Sequence, residues 1–306
     1  MTKRRLLVAL VGLVLAVAAW LTLAGGPNLP SELAGAVVFV SDRDGVSALY
    51  WRRLPRDRER RLTFGSEPAR EPAVSPDGTR VAFSMNGRIG VVAVASGEVK
   101  VLTLGVDWKD AQPAWLPDGR RIVVSARRRE GEPRSLHLLE FAADGAVARY
   151  PLTQARAGDD TSPAPSPDGG FVVFVREDRL MRVELGDGRV ARLSGGFKRD
   201  RSPRFLAPGR LVCAWSEGKT HGIDRIDLAT KARETLVAGA AFYRTVAPSP
   251  DGRFLAVTRS ADAALPPLAV LLGQKEEIHL LDDAGRERGR LEVSRRHANH
   301  SPDWGR

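Results

Sequence analysis

At 306 residues, with 43% hydrophobic and 27% charged residues, the chain has a globular composition and the length of one large domain or two small ones. Its formal net charge of +10 suits an anionic lipid or polymer nearby, but the arginines are scattered, with no basic helix and no interleaved aromatics, so nucleic acid is not expected as a partner. A single cysteine excludes an internal disulfide, and Cys213 falls in an apolar strand pattern where a small core residue is expected rather than a reactive thiol.

The chain opens with a basic head, Lys3-Arg4-Arg5, and then runs from Leu6 to Ala24 without a charge. That length nearly matches the ~20 residues needed to cross a bilayer and exceeds the usual apolar stretch of a cleavable signal. Trp20 suits the membrane interface. Residues 1–24 are therefore expected to form one N-terminal transmembrane helix, a signal anchor, with a cleaved signal peptide as the alternative. The basic head stays cytoplasmic, so the remainder is expected on the exported, periplasmic or extracytoplasmic side, or secreted after cleavage. Residues 25–35, rich in Gly and Pro, read as a linker to a domain covering 36–306.

Strand patterns begin at Ala36. Ala36 to Val40 is apolar, Ser41-Asp42-Arg43-Asp44-Gly45 is a turn, and Ala48 to Trp51 is apolar again. Arg60 to Thr63 has the pattern of a fourth strand. Then comes Pro72-Ala73-Val74-Ser75-Pro76-Asp77-Gly78, followed by the apolar Val81-Ala82-Phe83. Pro presets one φ, Asp bonds its own backbone and Gly accepts a positive φ, so Pro-Asp-Gly is turn chemistry. The β-branched and aromatic run after it is a buried strand. The same unit returns at Asp118, at Asp168, in a worn form at Pro208-Gly209, and at Asp251, in steps of 41, 50, 40 and 43 residues. A period of that size marks a repeat fold of propeller type. The chain stops inside a sixth copy, Ser301-Pro302-Asp303-Trp304-Gly305-Arg306. No such strand precedes Ala36, so this last segment is expected to supply the missing innermost strand of the first blade. Strands from the two ends then share a sheet and close the ring. The fold class expected is all-β, a six-bladed β-propeller preceded by the one N-terminal helix.

These repeats, together with Ser41-Asp42-Arg43-Asp44-Gly45 before Leu49-Tyr50, resemble the TolB-type, WD-like β-propeller repeat over nearly all of residues 35–306. The resemblance implies the fold; propellers of this kind host many roles, so function has to come from a site. TolB itself has a further amino-terminal domain before its propeller, whereas in this chain Ala36 follows a membrane segment and a linker.

In a propeller, the loops entering the innermost strands converge on the central channel. The candidate partner-binding rim is therefore Arg70, Glu71, Asp110, Gln112, Asp160, Asp200, Arg201, Tyr243, Arg244, Asn299 and His300. This mixed acidic, basic and amide set suits a peptide or polar ligand held by charge-assisted hydrogen bonds. Its bland reading is that the acidic members cap turns and pair with arginines. A long apolar loop, with Leu265, Leu268 and Leu271, is expected on the same face as a docking patch or packed down on the ring. His297-Ala-Asn-His300 has ligand-like spacing, and the resemblance to metal-binding propeller lyases would require His221, His297 and His300 to converge. Neither a metal nor a cofactor is expected, and Asp42-Arg43-Asp44-Gly45 lacks the acidic ligands of a calcium loop. No nucleophile elbow or phosphate-binding glycine loop is present. The resulting expectation is a monomeric, membrane-tethered scaffold that binds a protein or peptide partner in the cell envelope and catalyses nothing. The alternative is a propeller enzyme, a carbohydrate lyase or hydrolase, working in the channel.

Overall fold

The computed structural model describes residues 29–141, 146–154, 158–260, 276–291 and 299–305. The segments Leu6 to Ala24 and Leu265 to Leu272 lie outside the described residues, and among those described no helix is long and apolar enough to cross a membrane. The described residues form six four-stranded antiparallel sheets, arranged as blades whose strands run in order from the channel outward. Blade I joins the two ends of the chain: β24 (Asn299–Gly305), β1 (Ala36–Ser41), β2 (Ala48–Arg53) and β3 (Arg60–Arg61). Blade II is β4 (Arg70–Val74), β5 (Arg80–Met85), β6 (Arg88–Ala93) and β7 (Val99–Val101). Blade III is β8 (Lys109–Trp115), β9 (Arg121–Arg127), β10 (Ser135–Phe141) and β11 (Val147–Pro151). Blade IV is β12 (Asp160–Pro165), β13 (Phe171–Arg176), β14 (Arg179–Glu184) and β15 (Val190–Arg192). Blade V is β16 (Arg199–Ala207), β17 (Arg210–Glu217), β18 (Thr220–Asp227) and β19 (Arg233–Gly239). Blade VI is β20 (Phe242–Pro248), β21 (Phe254–Ser260), β22 (Glu276–Asp282) and β23 (Glu287–Leu291).

The core is a ring of six apolar layers, one between each pair of neighbouring blades. Val38, Leu49 and Trp51 of blade I meet Val81, Phe83 and Val92 of blade II; Val123 and Leu136 of blade III meet Val172 and Phe174 of blade IV. Because both faces of the second strand are covered, its residues are apolar without alternation: Val37 to Val40, Ile122 to Val124, Val172 to Val175 and Leu211 to Trp215 are all buried. Cys213 belongs to one such strand and is a free, fully buried thiol.

The expected closure is present. β24 pairs antiparallel with β1 from Asn299 opposite Ser41 to Gly305 opposite Ala36. Trp304 packs into the layer between blades I and VI and donates its indole N–H to the Ala34 carbonyl at 2.9 Å. Gly35 has φ +85°, and a Cβ there would sit 2.3 Å from the Gly305 carbonyl oxygen, so no other residue fits the junction. The register also corrects one detail of the sixth copy. Pro302 takes the place of Pro72 and Pro113, and Trp304 that of Trp115; Asp303 therefore stands where the earlier copies have Ala73 and Ala114, and is no turn aspartate. Removing residues 299–306 should expose the inner edge of β1 and lose the packing of Trp304, which alone is worth about 3–5 kcal/mol. Thermal melting of the truncated chain should show a fall of many degrees; a change of only a few would refute closure as a stabilising contact.

The Pro-Asp-Gly turns all lie on one face of the ring. In three of them a serine hydroxyl donates to the aspartate: Ser75 to Asp77 at 2.5 Å, Ser166 to Asp168 at 2.5 Å and Ser249 to Asp251 at 2.6 Å. The same carboxylates accept backbone N–H groups from Thr79, Gly170 and Arg253. The Ser75 hydroxyl, then the Thr79 N–H, hold the Asp77 carboxyl down at about 2, and the Ser166 hydroxyl lowers Asp168 likewise. A carboxyl whose pKa is lowered by folding stabilises the fold above its unfolded value and ceases to do so as pH falls through its folded value. Melting temperature should therefore drop between about pH 4 and pH 2, and Asp77→Asn with Asp168→Asn should flatten that limb of the profile.

Candidate functional site

Each innermost strand enters from the opposite face and breaks its pleat at the same place. Glu71, Gln112, Ser162, Ser202 and Ser301 all have φ between 47° and 53°, a left-handed conformation that non-glycine residues rarely adopt. Each is followed by proline, and a register shift in the pairing to the second strand coincides with it. Thr245-Val246 holds the equivalent place in blade VI, where the pairing shifts between Tyr243 and Val246. A bulge of this kind re-aims the side chains around it.

These residues line a cavity of about 250 Å³ at the channel mouth, with Pro72, Pro113, Pro163 and Pro302 as its apolar wall and Arg201, Arg204 and Arg244 among its polar groups. Side chains hand the ring from blade to blade. The Glu71 carboxylate accepts the Ser84 hydroxyl at 2.7 Å and the Gln112 N–H at 2.9 Å; the Gln112 side-chain carbonyl accepts the Ser162 N–H at 2.7 Å. Ser301 N–H donates to the Thr258 hydroxyl at 3.1 Å. Asp303 accepts the Val74 N–H at 2.6 Å. Asp303 is half-buried, and burial pushes its pKa up against the pull of Arg204.

The structure sorts the expected rim by one-residue steps along the strand. Glu71, Gln112, Arg201 and Arg244 line the cavity. Arg70 is exposed beside it, and His300, one residue before Ser301, bonds that residue's hydroxyl at 2.9 Å. Burial, with Arg244 and Arg70 adding repulsion, pushes His300 down to about 4, so its imidazole is neutral at neutral pH. The residues one step earlier point into the blade interfaces instead. Tyr243 is buried there, and Asp110, Asp160 and Asp200 are fully buried. Asp110 takes Arg149 through both oxygens at 2.9 and 2.8 Å. Asp160 takes Arg176 at 2.6 and 2.8 Å and the Thr153 hydroxyl at 2.5 Å. Asp200 takes Arg233 at 2.7 Å and the Ser194 hydroxyl at 2.6 Å. Reading these three aspartates as rim residues is thus corrected: their carboxylates pair with arginines of their own blades, Asp160 and Asp200 also take a hydroxyl from the loop leading in from the preceding blade, and none of them lines the cavity. Of Asn299 only the backbone is described, and Leu265, Leu268 and Leu271 lie outside the described residues.

The candidate metal set does not assemble among the described residues, where no group of three His, Cys, Asp or Glu side chains could hold a metal ion; His297 is outside them. His221 packs edge-on against Phe242, and burial with Arg201 pushes it down. Asp44 is held by the Tyr50 hydroxyl at 2.5 Å and Arg61 at 2.8 Å, as a turn residue rather than a calcium ligand. Cys213 lies 3.9 Å from Asp200, and burial, then that carboxylate, pushes its thiol up, away from the reactive thiolate. One charged cavity residue escaped the sequence reading. Arg204 was legible only as a departure from alanine once the copies are aligned on the residue after each proline.

Fold and cavity together define a closed six-bladed propeller with a polar channel mouth on one face. No family model matches the chain. Among curated proteins it is 29% identical over 166 residues to the protein TolB homolog of Chlorobium luteolum, covering 52% of this chain and 36% of that protein. To the protein TolB homolog of Chlorobium chlorochromatii it is 32% identical over 149 residues, covering 47% and 32%. The chain thus spans about a third of the length of these curated relatives. The crystal structure of TolB from Acinetobacter baumannii matches with a TM-score of 0.74 at 18% identity, over 90% of this chain and 68% of that one. An oligogalacturonate lyase in complex with manganese matches with a TM-score of 0.61 at 16% identity, over 85% and 75%. At such identities the structural matches speak for the fold alone. With the repeat motifs and the curated relatives, they support a six-bladed β-propeller of TolB type.

Asp200→Ala should strand Arg233, half-buried and shared with Asp224, and removing one partner of such a buried pair costs about 3–5 kcal/mol. Denaturant unfolding should show that loss; an unchanged midpoint would return Asp200 to the surface of the ring.

Proposed function

We propose that this chain is an exported, membrane-tethered propeller that binds a protein or peptide partner in the cell envelope through the face bearing the channel mouth, without catalysis. The observation that carries this reading is the contrast between the two faces. The Pro-Asp-Gly face is built from short, alike turns whose carboxylates are occupied. The other face carries the cavity and the most exposed apolar side chains among those described, Phe64 (74%), Leu104 (81%), Val106 (77%) and Phe197 (87%). All four sit in loops that lead into innermost strands. Apolar side chains that no fold contact requires, around a polar pocket, are the composition of a binding surface.

The tether agrees with this arrangement. The described chain arrives on the Pro-Asp-Gly face, where Leu29 packs on the layer between blades I and VI and Arg253 donates to the Glu32 carbonyl. Residues 25–28 span at most about 14 Å, so an anchor at Leu6 to Ala24 would hold that face toward the bilayer and turn the channel mouth away from it. The cavity's own groups suit binding better than proton transfer. Its one carboxylate, Glu71, is engaged by two donors.

Site-specific crosslinking in native membranes tests the reading, with Leu104→Asp and Phe197→Asp together on one face and Asp187→Lys on the other. The double variant should lose the crosslinked product by tenfold or more, and the Asp187 variant should keep it, since an exposed substitution there shifts stability by under about 0.5 kcal/mol. The reverse pattern would put the site on the wrong face.

A further inference from the structure

Aligning the six innermost strands on the left-handed residue exposes a charge asymmetry inside the channel. The residue before it is Arg70, Ala111, Thr161, Arg201, Arg244 and His300 in blades II, III, IV, V, VI and I. Arginines thus occupy blades V, VI and II, with the neutral His300 between them in blade I, while III and IV carry Ala111 and Thr161. Two residues after the left-handed position come Ala73, Ala114, Ala164, Arg204, Ala247 and Asp303. Four blades use alanine there, and blade V alone places a cation.

The cations on the wall of blades V and VI exceed the carboxylates that face them. Among the described residues no carboxylate oxygen comes within 4.0 Å of a guanidinium nitrogen of Arg201 or Arg204, while Arg244 shares its charge with Glu276 at 2.7 Å. Arg204 donates only to the Pro203 carbonyl at 2.9 Å. Arg201 donates to the Ser216 hydroxyl and lies 4.7 Å over the Phe242 ring, which holds it at the cavity wall. Burial, with repulsion from Arg199 and Arg244 outweighing the pull of Asp178 and Asp200, pushes its pKa below the ordinary guanidinium value. Glu71 and Asp303, the nearby carboxylates of blades II and I, already accept backbone donors. Where blades II and III fill the mouth with Glu71 and Gln112, blades V and VI have only Ser202 and Thr245 at the same step.

We propose that the channel mouth is an anion-binding site in which Arg201, Arg204 and Arg244 receive a carboxylate side chain from an acidic, extended peptide segment. This rests on the reading of that face as the partner surface and names the chemistry it selects. Planar guanidiniums bind carboxylates through paired hydrogen bonds, and low local dielectric strengthens them. The proline wall and a volume of about 250 Å³ admit one or two residues of an extended chain. The exposed apolar loops around the mouth supply the contacts that a protein, rather than a free anion, would use.

The probe is acetylated, amidated tetraglutamate, titrated calorimetrically into the full chain at low salt, with tetraglutamine and tetragalacturonate in parallel. Tetraglutamate should bind and tetraglutamine should not. Arg204→Ala restores the residue of four other blades and should keep the melting temperature within a few degrees while weakening tetraglutamate about tenfold or more. Arg204→Lys should retain part of the affinity. No binding of tetraglutamate, equal binding of tetraglutamine, or indifference to Arg204→Ala would overturn the anion site. Tighter binding of tetragalacturonate would overturn the peptide assignment in favour of an acidic sugar. Crosslinking of the native partner separates the two proposals: if it survives in Arg204→Ala but fails in the Leu104 and Phe197 variant, the face stands and the anion site falls.

Discussion

Pairing between β1 and β24 is the contact on which the other five blades depend. Every blade buries both faces, so the six apolar layers form a cycle, and opening any one leaves two large apolar faces in water. Blade I is the one member whose innermost strand comes from the far end of the chain, and the cycle closes only when Gly35, Ala36, Trp304 and Gly305 meet. Closure also completes the cavity, because β24 delivers Ser301 and Pro302 to its wall. Stability and site geometry therefore share one structural cause. A fold whose total stability is of the order of 5–15 kcal/mol has little room to lose that layer.

The second constraint is local and repeated. A non-glycine residue in the left-handed region costs of order 1–3 kcal/mol and persists only where surroundings over-determine it. Five such residues stand in register around one axis, each fixed between a proline and a strand, and several held by a side chain from the neighbouring blade. The strain sets which side chains enter the lumen. Before each bulge the pleat sends its buried aspartates into the blade interfaces; at the bulge it turns Arg201, Arg244 and the left-handed residues to the channel. The result is a rigid, pre-shaped mouth, which lowers the ordering penalty of binding.

Electrostatics follows the same division. Carboxylates in the Pro-Asp-Gly turns accept backbone and serine donors, and those inside the blades are matched by Arg149, Arg176, Arg233 and Lys198. Once these pairings are made, Arg201 and Arg204 stand at the cavity with no carboxylate oxygen within 4.0 Å among the described residues.

The sequence by itself determined the number of blades, the place of the split blade and the position of nearly every strand. The reason is that turn chemistry and apolar runs act over a few residues: Pro-Asp-Gly stops one strand and Val-Ala-Phe or Phe-Val-Val-Phe builds the next wherever they occur. It also located the loops that approach the channel. What it left undecided was the single-residue phase within those loops, which separates Asp160 in a buried ion pair from Ser162 at the cavity, and Asp200 from Arg201 and Arg204. That phase is set by the left-handed bulge, and the groups holding the bulge lie far away in sequence. Glu71 holds Gln112 across 41 residues, and Gln112 holds Ser162 across 50. Only when six blades stand side by side do those partners exist, so only the tertiary structure decides which charges meet a ligand and which hold the ring together.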